Sequence, residues 1–201
     1  MIQCLVTDRR QLAGAGASFD HARRLLLAQL ETAVGNGVDL IQVRERDLEA
    51  CDLAALVEAV VALVHGTTSR VVVNDRLDVA LACGADGVHL RGDSIQAADA
   101  RRVAPPGFVI GRSVHTVGEA SAAGEVDYLI AGTVYRSPSK AATTTLLGVD
   151  GLRAIVRSAR APVLAIGGVT AERFDEIATA GAAGVAGISL FLPFDSPKPA
   201  P

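Results

Sequence analysis

Eight short apolar runs, most of them followed by a helical pattern, fill most of the 201 residues and predict an α/β chain folded as a small (β/α)8 barrel of the TIM type. Two further observations favour a closed barrel over the alternative, a doubly wound open sheet. Polar clusters fall at or just after the carboxyl ends of the predicted strands, and a barrel gathers such ends around one rim. The composition is 50% hydrophobic but only 3% aromatic, and it is rich in small aliphatic residues and glycine. That suits buried parallel strands under close-packed helices.

Residues 2–6 form the first predicted strand, ending in Thr7 and Asp8, and residues 20–34 an amphipathic helix stopped by Gly35-Asn36-Gly37. Strand 38–43 precedes helix 50–65; strand 70–73 precedes a short helix over 76–83. Strand 87–90, helix 95–103, an extended stretch at 108–110, helix 117–123 and strand 128–131 follow. After a long loop, helix 149–158 leads into the clearest unit of the chain, residues 161–189. There an apolar strand over 162–166 breaks at Gly167-Gly168, and Thr170 opens and caps a helix with Glu172 in its first turn. Its apolar face is Phe174, Ile177, Ala178 and Gly181, and a second strand over 184–189 has no room for a hairpin, which makes the unit a parallel βαβ.

The last residues cannot supply a closing helix. After Ser189 only Leu190, Phe191 and a proline-rich stretch remain, so one barrel domain over 1–191 and a tail over 192–201 are expected, without a regular eighth helix. The groove this leaves between the first and seventh helices is expected to expose apolar surface and to be covered by a partner subunit, as in a dimer or other homo-oligomer, or by the folded-back tail.

The net charge of −3 and the absence of a Lys/Arg stripe give no electrostatic case for nucleic acid. No apolar run approaches membrane-spanning length and no secretory pattern opens the chain, so a soluble cytoplasmic protein is expected. Cys4, Cys51 and Cys83 are unpatterned and read as buried reduced thiols.

The rim carries the chemistry. Alternation along the second strand sends Gln42, Arg44 and Arg46 to one side, and two guanidinium forks aimed into a barrel mouth suit a multiply anionic ligand. The bland alternative is an ion-pair cluster with Glu45 and Asp47. Asn74-Asp75 ends the third strand, where a carboxylate near basic residues suits Mg²⁺ on a diphosphate or, equally, an N-cap for the next helix. In the segment from Arg91 to Ser94, Asp93 can supply a second carboxylate; otherwise Ser94 or Asp93 is a plain cap before Ile95. Ser113 and His115, two apart, offer a hydroxyl for phosphate and an imidazole for proton transfer. His21, His65 and His89 read as ordinary helix or strand residues. The long loop after the sixth strand holds Ser137, Ser139 and Lys140, which read as an anion-binding lid, against the default of a mobile surface loop. Gly167 and Gly168 open backbone N–H groups to an anion, with Ser189 within reach, although two glycines can also simply turn a corner.

The segments IQVRER, VVNDRLDVAL, ADGVHL, IGRSVHTVGEA, DYLIAGTVYRSPSK and VLAIGGVTAERFDEIATAGAAGVAGIS together resemble the thiamine phosphate synthase/TenI family across nearly the whole chain. The resemblance implies an enzyme that joins hydroxymethylpyrimidine diphosphate to thiazole phosphate, with Mg²⁺ on the departing diphosphate. It assigns Gln42, Arg44, Asn74, Ser113 and Lys140 to the pyrimidine diphosphate and Asp75 to the metal. Gly167, Gly168 and Ser189 fall to the thiazole phosphate, and Ser137 and Ser139 stand where the family has hydroxyl residues. Two positions depart from the synthase pattern: Arg46 replaces Lys and keeps the charge, whereas Ser94 replaces an Asp that would ligate metal. The TenI branch, which includes a thiazole tautomerase, shares that loss, and His115 matches its general acid/base. Retained Gln42 and Asp75 favour the synthase, and a non-catalytic thiazole phosphate binder is the third reading.

Overall fold

Every predicted strand pairs in parallel with the next one in the chain, and the eighth returns to the first. The structure, a computed structural model, describes residues 1–14, 16–137 and 145–191. Its strands are β1 (Ile2–Val6), β2 (Leu40–Val43), β3 (Arg70–Asn74), β4 (Gly87–Leu90), β5 (Val109–Val114), β6 (Tyr128–Gly132), β7 (Val163–Ile166) and β8 (Gly184–Gly187), closed in that order. Cys4 marks the closure, standing opposite Leu40 on β2 and Ala186 on β8.

Strand alternation divides the apolar residues into an inside and an outside. Cys4, Val6, Leu40, Val72, Tyr128, Ile130 and Leu164 fill the barrel, while Leu5, Ile41, Val73 and Val88 face the helices. The first half of the helical layer comprises α1 (Arg9–Ala13), α2 (Phe19–Gly35), α3 (Ala50–Val64) and α4 (Leu77–Ala82). The second half comprises α5 (Ala97–Val103), α6 (Val117–Ser121), α7 (Gly148–Ser158) and α8 (Phe174–Thr179). Leu26 and Leu30 of α2 and Leu56, Val57 and Val60 of α3 are wholly buried on the periodic face that the sequence displays. At the amino ends of alternate strands a carboxylate staples the ring: Asp39, Asp86 and Asp127 accept from the N–H groups of Gln3, Val71 and Ile110 at 2.8, 2.7 and 2.6 Å.

Several expectations are corrected. The helix α1 is absent from the sequence reading because its five residues are too few to show a period. The extended stretch expected at 108–110 is longer, so Ser113 and Val114 belong to β5 itself. Thr170 makes no side-chain cap; a 3-10 turn over Ala171–Arg173 precedes α8, whose buried residue is Ile177, with Ala180 beyond it, whereas Ala178 is exposed. Of the three cysteines only Cys4 is buried, and burial pushes its thiol up to about 12; Cys51 is exposed. Among the described residues only a 3-10 turn over Ser189–Phe191 follows β8, in line with the expected lack of a regular eighth helix. A groove of about 440 Å³ runs there between α2 and α8, lined by Ala33, Val38, Phe174, Leu190 and Phe191 among others. No helix among the described residues is long and apolar enough to cross a membrane.

Candidate active site at the carboxyl rim

A cavity of about 550 Å³ opens at the carboxyl ends of the strands, and the same alternation that fills the barrel decides what lines it. Gln42, Arg44 and Arg46 of β2 and its extension all reach it, as do Asn74 of β3, Ser113 of β5 and His115 one residue past it. Gly167, Gly168 and Ser189 line the opposite wall, and Asp93 the rim. Ten expected residues, spread over nearly 150 positions, therefore share one mouth. Asp75 and Ser137 do not line it, and Ser139 and Lys140 lie outside the described residues.

The cationic side of the mouth is built on an ion cluster different from the one expected. Glu45 and Asp47 pair with Arg9, not with Arg44 or Arg46: Arg9 Nη1 lies 2.8 Å from Glu45 Oε2, and Nη2 2.5 Å from Asp47 Oδ2. Glu45 is buried, and burial raises its carboxyl above the usual range although Arg9 and Thr7 pull it down. Helix α1, capped by the Asp8 side chain on the Gln11 N–H at 2.9 Å, delivers that arginine. Among the described residues neither Arg44 nor Arg46 has an ion-pair partner. Burial, then the charge of Arg46 and of Arg91, lowers the Arg44 guanidinium, although Asp8 and Glu45 act against them. Like charges held together at a concave surface need a polyanion. Beneath them the Gln42 Nε2 is buried without a hydrogen bond of ordinary geometry among the described residues, with the Tyr128 hydroxyl as its polar neighbour.

His89, expected to be an ordinary strand residue, is part of the floor. Its Nδ1 hydrogen-bonds with Tyr128 Oη at 3.0 Å and its Nε2 with Ser113 Oγ at 2.8 Å, so it fixes the hydroxyl that faces the cavity. Burial, and then the charge of Arg44, depresses it to about 3, and it stays neutral. Gly111, opposite His89 on β5, leaves the room that the Tyr128 ring fills. The signal was present in the sequence: His89 has the inward parity of its strand. His115 is more open, and its Nδ1–H donates to the Gly132 carbonyl, which leaves Nε2 for the cavity.

Asp75 takes a left-handed backbone, φ 64°, one residue past β3. That turn carries its carboxylate sideways to the segment after β4, where Ser94 Oγ donates to Oδ1 and Arg91 Nη1 lies 3.4 Å from Oδ2. It is not an N-cap: the helix that follows is preceded by Arg76 without a side-chain cap. On the opposite wall Gly168, φ 62°, sits against the loop after β6 so closely that a Cβ there would run into the Arg136 carbonyl and meet the Tyr135 Cβ at 2.8 Å. Its own carbonyl accepts from Arg173 Nη1 at 2.7 Å, and that guanidinium stacks on the Tyr135 ring at 4.0 Å. The N–H groups of Gly168 and Val169 have no acceptor among the described residues, which suits an anion at this corner.

Comparison with known proteins agrees with this fold. A family model described as thiamine monophosphate synthase matches residues 5–191. The chain is 40% identical over 190 residues to a thiamine-phosphate synthase of Methanoculleus marisnigri, covering 94% of this chain and 86% of the relative. It is 38% identical over 195 residues to a thiamine-phosphate synthase of Albidiferax ferrireducens, covering 96% and 85%. Among solved structures, a thiamine phosphate pyrophosphorylase from Pyrococcus furiosus superposes with a TM-score of 0.79 at 30% identity, over 97% of this chain and 89% of that one. The 3-hexulose-6-phosphate synthase fold is also similar, with a TM-score of 0.62 at 18% identity. The chain belongs to the thiamine monophosphate synthase family.

Proposed function

We propose that the chain is a thiamine-phosphate synthase that joins hydroxymethylpyrimidine diphosphate to thiazole phosphate and releases diphosphate. The single observation that carries this reading is the two-sided mouth: guanidiniums of Arg44 and Arg46 without an ion pair among the described residues on one wall and backbone amides without an acceptor among them on the other, across one cavity. In the reaction the bond from the pyrimidine's exocyclic carbon to the diphosphate oxygen breaks, and a carbon–nitrogen bond to the thiazole forms. Positive charge builds on that carbon as the diphosphate leaves.

The buried Gln42 Nε2 and Asn74 hold the pyrimidine end; Arg44, Arg46, Ser113 and Lys140 hold the diphosphate and stabilise its departure. Gly167, Gly168 and Ser189 fix the thiazole phosphate so that its ring nitrogen faces the reacting carbon, with Ser137 and Ser139 on the connecting loop. Mg²⁺, when bound, neutralises the leaving diphosphate. The donors fit an ion shared with substrate rather than a cage: Asp75, with Asp93 beside it, is the carboxylate supply, and no group of three His, Cys, Asp or Glu gathers among the described residues.

A coupled assay with both phosphorylated substrates and Mg²⁺ tests the reading. Asp75→Ala is expected to lower coupling by about 100-fold or more, the scale of losing one preorganised electrostatic contact. The second reading, a thiazole tautomerase, is favoured by His115, whose Nδ1–H is fixed on a carbonyl while Nε2 is left for proton transfer. His115→Ala is expected to leave coupling largely intact; no coupling by the unaltered chain, with tautomerisation retained, overturns the synthase. A cytoplasmic location belongs to the same reading, and the groove between α2 and α8 is covered either by a second copy, which makes the chain a homo-oligomer, or by the residues after Phe191; sedimentation decides between the two.

A further inference from the structure

A cation already stands between the two carboxylates of the rim. Arg91 Nη1 lies 3.4 Å from Asp75 Oδ2, and Nη2 lies 2.6 Å from Asp93 Oδ2. The arrangement is braced: the Arg91 backbone N–H donates to Ser94 Oγ at 2.7 Å, and that hydroxyl donates in turn to Asp75 Oδ1. Arg91 follows His89 in the inward phase of β4 and lines the cavity, on the same side as Arg44, whose proton affinity its charge lowers. Two features of this chain thus act together. A hydroxyl at Ser94 keeps Asp75 in place without adding negative charge, and a guanidinium supplies positive charge where a fuller set of carboxylates would call for metal.

We propose that Arg91 is a further guanidinium of the diphosphate site and the resident counter-cation of Asp75 and Asp93. It leaves the carboxylates for phosphate oxygens when diphosphate binds, and so frees them for one divalent cation. The exchange trades one charge-assisted, fork-shaped contact for another and needs only rotation of a half-exposed side chain. It makes diphosphate and metal mutually dependent, since each removes the obstacle to the other, and such coupling is reciprocal. This inference rests on the proposed function, in that it takes the diphosphate to lie at this wall.

The test uses inorganic pyrophosphate and Mn²⁺ as probes on the full chain, with Arg91→Ala, Arg91→Lys and Arg44→Ala. Pyrophosphate binding is followed by titration calorimetry with chelator or with Mg²⁺, and Mn²⁺ binding by electron paramagnetic resonance with and without pyrophosphate. In chelator, Arg91→Ala is expected to bind pyrophosphate at least tenfold more weakly than the unaltered chain, with Arg91→Lys in between. Without pyrophosphate, Arg91→Ala binds Mn²⁺ at least threefold more tightly, because its carboxylates are free, whereas Arg44→Ala weakens pyrophosphate binding without that gain. A merely structural role for Arg91 weakens both ligands together, and that result overturns the inference. Equal pyrophosphate affinity in the unaltered chain and Arg91→Ala overturns it alone, leaving the proposed function standing. No pyrophosphate binding by the unaltered chain even with Mg²⁺ overturns the proposed function and this inference with it.

Discussion

His89 shows how much a single buried side chain decides. It is neutral when folded, held at about 3 by burial and by Arg44, whereas an unfolded histidine titrates near 6.5. Between those values the unfolded chain binds a proton that the folded chain does not. Stability is therefore fully present above pH 6.5 and is lost as pH falls toward 3, at up to about 1.4 kcal/mol per pH unit. Urea unfolding from pH 7 to pH 4 is expected to show a slope that His89→Asn flattens; equal slopes for the two chains would place the proton elsewhere. The same depressed value means that His89 contributes no inflection to the pH–rate profile near neutrality. Arg9 gives the opposite kind of lesson. Arg9→Met leaves Glu45 buried without its cation, and unfolding is expected to become easier by about 3 kcal/mol, as when one partner is taken from a buried pair.

At the scale of elements, alternation was the legible part of the sequence. Once a strand is placed, its inward residues follow, and Gln42, Arg44 and Ser113 reach the cavity for that reason alone. Asp75 escaped the rule because a left-handed residue one step past β3 changes the phase, and no periodicity reports that. Helix α1 was hidden by its length, and the Arg9 cluster with it. His89 was visible by parity but passed over, because an imidazole without metal spacing gives no signal until Ser113 and Tyr128 are seen beside it. Gly168 carries a prediction at this scale. Gly168→Ala pushes against Arg136 and Tyr135 from a backbone conformation alanine disfavours, which costs about 1–3 kcal/mol and displaces the amides of the corner. The expected result is a KM for thiazole phosphate raised about tenfold, with the KM for the pyrimidine diphosphate little changed, read from initial rates with each substrate varied in turn.

On the scale of the whole molecule, charge is distributed against the average. The chain carries a net −3, yet Arg44, Arg46 and Arg91 share one wall of the mouth, while Asp39, Asp86 and Asp127 lie at the other end of the barrel. A barrel makes this separation possible because the two ends of each strand face opposite poles. An approaching polyanion is therefore attracted by one pole of a molecule that repels it elsewhere, and that attraction is screened over a Debye length of about 10 Å at 0.1 M salt. The two substrates should feel it unequally. On the proposed assignment the pyrimidine diphosphate meets guanidiniums, whose long-range attraction salt screens, whereas the thiazole phosphate is held by backbone amides at short range. Raising NaCl from 50 to 500 mM at constant free Mg²⁺ is expected to raise the KM for the diphosphate substrate about tenfold and that for the thiazole phosphate about two- to threefold. Arg46→Ala, which removes the most exposed charge of the β2 pair, should reduce the first effect and leave the second unchanged. Parallel salt dependence for both substrates would mean that the two walls are electrostatically alike, and the division of the mouth into a cationic side and an amide side would not stand.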